Sequence, residues 1–156
     1  MEVGVSPRRR YVARQGEIRM PQKITYGHKQ MVEEAYNEIE TIPTKEAFAL
    51  VGRSDTVLVD IRDVREIRRE GRVPGAFSCP RGMLEFWIDP ESPYHKPVFA
   101  EDKKFVFFCA GALRSALAAQ TAQRMGLKPV AHIEGGFSRW KKEGGPFEMD
   151  ERDDKK

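Results

Sequence analysis

Cys109 stands where the apolar run Lys104 to Phe108 gives way to Ala110-Gly111-Ala112-Leu113-Arg114-Ser115. The run before it has the continuous apolar character of a strand covered on both faces. The alanine-rich stretch after it, Ser115 to Met125, predicts a helix. A thiol at that junction looks into the N–H groups of a short loop and into a helix N-terminus. Both favour a thiolate, and both can hold a bound oxyanion or a persulfide. Arg114 adds a permanent cation with fork geometry for an anionic substrate. Ser115 is placed to cap the helix or to donate to the anion. Gly111 is expected to supply backbone angles that other residues avoid. The candidate site is therefore Cys109 as nucleophile, with Ala110, Gly111, Ala112, Leu113, Arg114 and Ser115 as its binding loop.

The rest of the chain alternates strand and helix around that loop. Met31, Val32, Ala35, Tyr36 and Ile39 fall at helical spacing and predict an amphipathic helix over 29–40. Pro43-Thr44 opens a second short helix through Leu50, with Thr44 expected as N-cap and Gly52 as its stop. Thr56 to Ile61 reads as a strand buried on both faces. Asp63 is expected to cap a helix from Val64 to Glu70, ended by Gly71. A turn at 73–76 leads to a short strand near Cys79. Residues 80–103 read as a short aromatic helix and a proline-punctuated loop. Val130 to Ile133 is a further strand, and Phe137 to Lys142 a last helix. This alternation predicts an α/β domain with a small, mainly parallel β-sheet flanked by helices and an extra N-terminal helix.

Size and composition narrow the functional classes. A chain of 156 residues fits one domain with a proper core. The expected organisation is a flexible basic leader over 1–27, a single domain over 28–147 and a charged flexible tail over 148–156. The net charge is +3, and residues 1–19 hold five arginines against two glutamates, so the folded part is neutral overall. A basic face for nucleic acid is therefore not expected. Met20-Pro21 is a candidate start of translation. No stretch reads as a secretory signal or approaches the ~20 apolar residues of a membrane span. Two cysteines, Cys79 and Cys109, are too few for a disulfide framework, which points to reduced thiols and a cytoplasmic location. No metal-spaced Cys/His cluster is present in the sequence, and no cofactor is expected.

Four motifs in order now carry a resemblance. They are Leu58-Val59-Asp60-Ile61-Arg62, Gly71-Arg72-Val73-Pro74-Gly75-Ala76, the Cys109 to Ser115 loop, and Glu134-Gly135-Gly136-Phe137 with Trp140. Over roughly residues 40–147 the chain resembles a single-domain rhodanese, a sulfurtransferase. The resemblance implies that Cys109 takes sulfane sulfur from a donor such as thiosulfate and passes it from a persulfide to a thiol, to cyanide or to a protein acceptor. The chain departs from the family in two places. The family often has glycine at the position of Ala112, and usually His-Ile where Arg72-Val73 stands.

Loop length separates this chemistry from a related one. Four residues lie between Cys109 and Arg114. Cysteine phosphatases use a longer loop, because a tetrahedral phosphate needs a wider ring of amides. Phosphatase or arsenate-reductase chemistry and a non-catalytic binding module stand as the alternatives. Among other residues, Asp60 is expected to brace the loop and Arg62 to brace it or touch substrate. Cys79, His132 and Trp140 read as packing residues. Phe86, Trp87, Ile88 and Tyr94 form either a satellite core, a wall of the site's mouth or a subunit contact.

Overall fold

The computed structural model describes residues 21–149 and, before them, Tyr11–Val12, Gly16 and Ile18–Arg19. The remainder of the expected leader, and residues 150–156 of the expected tail, lie outside the described residues. Tyr11–Val12 (β1) pairs antiparallel with Ile18–Arg19 (β2). The main body then runs His28–Glu38 (α1), Glu40–Ile42 (β3), Thr44–Ala47 (α2), Thr56–Asp60 (β4), Val64–Glu70 (α3), Phe77–Ser78 (β5), Leu84–Ile88 (α4), Lys104–Phe108 (β6), Leu113–Arg124 (α5), Val130–Ile133 (β7) and Gly136–Lys142 (α6).

Strands β3 to β7 form one parallel sheet in the order β3-β7-β6-β4-β5. The strand that ends at the candidate nucleophile is therefore the middle one. Side chains of β4 and β6 alternate between two cores, as the period of a strand requires. Val59, Phe105 and Phe107 pack with Leu84, Ile88, Ala118, Ala119 and Ala122 on one face. Leu58, Val106 and Phe108 pack with Ala47, Phe137 and Trp140 on the other. The alanines of α5 let that helix lie close against the sheet, and four of them are fully buried. Each fully buried phenylalanine of β6 contributes about 2–3 kcal/mol.

The structure departs from the expected elements at several joints. Helix α1 ends at Glu38 and not at Glu40, and Glu40–Ile42 is an edge strand on β7. Thr41 and Ile42 are β-branched, and pairing with β7 outweighs the helical spacing that precedes them. Thr44 is not an N-cap. Pro43 holds that position, and the Thr44 hydroxyl donates to the Glu134 carbonyl at 2.8 Å, tying α2 to the turn before α6. Helix α5 begins at Leu113, two residues before the expected start. Asp63 does cap α3, in a reciprocal arrangement in which the Glu66 side chain accepts from the Asp63 amide. Glu148, assigned to the tail, exchanges backbone hydrogen bonds with Arg72 at 2.8 and 2.9 Å.

The 80–103 segment belongs to the main core. Leu84 and Ile88 are buried there, and Trp87 and Phe99 both meet Phe77 edge-on. Phe86 and Tyr94 remain exposed. Among the described residues, no helix is long and apolar enough to cross a membrane.

Candidate active site

Cys109 follows directly on β6, at the carboxyl end of the sheet, and is 1 % exposed. Open parallel sheets bind ligands at that end. The Ser115 amide, in the first turn of α5, donates to Cys109 Sγ at 3.4 Å. The sulfur thus accepts from one of the N–H groups that a helix N-terminus leaves without an intrahelical partner.

The loop owes its curl to Ala112 and not to Gly111. Ala112 has φ of 67°, and it is the only non-glycine at positive φ among the described residues. Gly111 is absent from the positive-φ glycines. A left-handed residue immediately before α5 turns the chain sharply from the loop into the helix. For alanine that conformation costs of order 1–2 kcal/mol.

Helix α6 supports the loop from the other side. The Phe137 amide donates to the Cys109 carbonyl at 2.7 Å, and the Ser138 amide to the Ala110 carbonyl at 3.0 Å. Gly135 and Gly136 both have positive φ. A Cβ on Gly136 would lie 2.6 Å from each of those two carbonyl oxygens. Only glycine lets the backbones approach this closely.

Arg114 is not a free fork. Its Nη1 and Nη2 each donate to one oxygen of Glu66 at 2.9 Å. That pair, together with the Asp63 amide, holds the Glu66 carboxyl down at about 2. Glu66 is a functional candidate beyond the residues expected from the sequence, and the Asp63-x-x-Glu66 capping pattern is its signal there. Asp60 and Arg62 form a buried pair behind the loop. Arg62 donates through Nε and Nη2 to the Asp60 carboxylate and through Nη2 to the Gly71 carbonyl. Its guanidinium lies 4.1 Å from the centre of the Phe137 ring. Arg62, Glu66, Arg69, Ala110, Ser138 and Lys141 are among the residues lining a cavity of about 240 Å³ beside the loop.

Helix α1 reaches the loop as well. The Tyr36 hydroxyl donates to the Ala112 carbonyl at 3.1 Å, and its ring meets His132 edge-on at 4.6 Å. Burial pulls His132 down to about 4, so the imidazole is neutral near neutral pH. One ring nitrogen lies 2.9 Å from the Thr41 hydroxyl and the other 3.4 Å from the Ser115 hydroxyl. The Ser115 side chain therefore faces His132, and it makes no hydrogen bond as a helix cap. Cys79 is fully buried, and burial pushes its thiol up to about 12.

With this geometry in view, three comparisons bear on the site. A family model described as Rhodanese-like domain matches residues 43–143. The chain is 27 % identical to a thiosulfate sulfurtransferase/rhodanese-like domain-containing protein of Mus musculus, covering 62 % of this chain and 64 % of that one. The chain thus spans less than two thirds of that relative's length. It is 29 % identical to a thiosulfate sulfurtransferase of Glaesserella parasuis, covering 76 % of this chain and 98 % of that one. A solved structure from Rhodopseudomonas palustris superposes with a TM-score of 0.81 at 69 % identity, covering 83 % of this chain and 99 % of that one. It is described as a protein of unknown function and possible tyrosine phosphatase.

Proposed function

The chain belongs to the rhodanese-like family, and from that premise we propose that it moves sulfane sulfur through a persulfide on Cys109. The observation that carries the reading is the short loop. Four residues separate Cys109 from Arg114, and the Ser115 amide is aimed at Sγ. In the first half-reaction the Cys109 thiolate attacks the outer sulfur of thiosulfate. A new S–S bond forms on the enzyme. The S–S bond of thiosulfate breaks, and its electron pair leaves on sulfite. The persulfide carries one negative charge on its outer sulfur. In the second half-reaction cyanide or a thiolate attacks that outer sulfur, and Cys109 departs as thiolate. No net oxidation occurs, and each intermediate is an anionic sulfur at the sulfur position that the Ser115 amide faces.

The second reading is phosphate-ester hydrolysis, favoured by the description of the Rhodopseudomonas structure. One feature counts against it: the loop is shorter than phosphatase chemistry uses.

Steady-state kinetics with thiosulfate and cyanide, beside p-nitrophenyl phosphate, separates the two. The sulfur reading predicts thiocyanate formation with parallel double-reciprocal lines, lost in Cys109→Ala. Cys109-dependent phosphate release without any thiocyanate would replace it with the phosphatase reading.

A further inference from the structure

We infer that Tyr36, on the helix that precedes the rhodanese-like segment, is a positioning residue for the Cys109 loop and acts through Ala112. The inference rests on Cys109 being the nucleophile. It starts from a cost. Ala112 occupies left-handed backbone at φ 67°, which an alanine adopts only when its surroundings impose it. The Ala112 carbonyl accepts a side-chain hydrogen bond from the Tyr36 hydroxyl at 3.1 Å.

The Ala112 carbonyl and the Leu113 amide belong to one planar unit, in which C=O and N–H point opposite ways. Anchoring the carbonyl on Tyr36 therefore fixes the orientation of the first amide of α5. Two residues further on, the Ser115 amide donates to Cys109 Sγ. Turning the Ala112–Leu113 unit tilts that whole first turn away from the sulfur. The Tyr36 ring is itself held, edge-on against His132, whose imidazole lies between Thr41 of β3 and Ser115 of α5. Desolvation and the nearby Cys109 push the Tyr36 hydroxyl above its ordinary range, so it stays a donor across the working pH. Residue 36 lies outside the 43–143 segment matched by the family model.

The test is a double-mutant cycle on the full chain with Tyr36→Phe and Ala112→Gly. Glycine adopts positive φ without cost, so it removes the need for the hold. Tyr36 is 36 % exposed, and deleting its hydroxyl leaves the ring packing in place. Two readouts are taken: thiocyanate turnover, and the rate at which iodoacetamide alkylates Cys109. Tyr36→Phe is expected to slow both by about five- to tenfold with its melting temperature little changed. With glycine at 112, the further effect of Tyr36→Phe should shrink to about twofold or less. Wild-type rates in Tyr36→Phe would overturn the inference, and so would an undiminished loss in the glycine background. Alkylation needs no sulfur transfer, so it decides the role of Tyr36 even if thiocyanate is never formed.

Discussion

At the scale of single residues, the site is an arrangement of charges around one sulfur. On the sulfur-transfer reading proposed above, the Arg114–Glu66 pair sets how strongly the mouth attracts anions. Arg114 is 45 % and Glu66 24 % exposed at the side chain, so the pair is partly screened by water. Replacing Glu66 by glutamine keeps a group able to complete the Asp63 cap but removes the negative charge. Glu66→Gln should lower KM for thiosulfate by about three- to tenfold with little change in stability. An unchanged or higher KM would show that Arg114 does not meet the donor. The position of the loop was legible because its residues are contiguous, and a cysteine, small residues, Arg and Ser follow in that order. Glu66 and Tyr36 were not, since they meet the loop from 48 and 76 residues away. The left-handed Ala112 was hidden for another reason: nothing in an alanine announces positive φ, and Gly111 drew the expectation.

At the scale of elements, the loop is clamped between two helices. Helix α5 brings an amide to Sγ, and α6 brings two amides to the carbonyls of Cys109 and Ala110. Gly136 is the contact point of that clamp. Gly136→Ala places a methyl 2.6 Å from two carbonyl oxygens and forces alanine to φ 63°. We expect a loss of about 3 kcal/mol, or about 10 °C in melting temperature, together with most of the turnover. Calorimetry and thiocyanate assays check it, and a variant of native stability would show that α6 does not support the loop. Helices and strands with strong apolar runs were legible: β4, β6, β7, α3 and α6 lie close to where the sequence placed them. Edge strand β3 was not, because three residues are too few to show a period and their pairing comes from β7, 91 residues on.

At the scale of the whole molecule, His132 ties the parts together. It lies on β7, and its ring touches α1 through Tyr36, β3 through Thr41 and α5 through Ser115. Burial lowers its pKa from 6.5 to about 4. An unfolded chain takes up the proton as pH falls through 6.5, while the folded chain refuses it until about 4. Between those values the unfolded state binds more protons, so stability falls as pH falls. This group alone should remove about 3 kcal/mol between pH 6.5 and 4. Denaturant unfolding at stepped pH, wild type beside His132→Gln, measures it. The variant should lose that part of the slope, and equal slopes would assign the acid sensitivity to other groups.

The most direct measurement is intact mass and peptide mapping after incubation with thiosulfate and removal of the excess. The account predicts a gain of one sulfur atom, mapped to the peptide containing Cys109, discharged by cyanide and absent from Cys109→Ala. The buried, high-pKa thiol of Cys79 should carry none. A protein that gains no sulfur from thiosulfate, polysulfide or a persulfidated thiol, or gains it on Cys79 instead, would contradict the account.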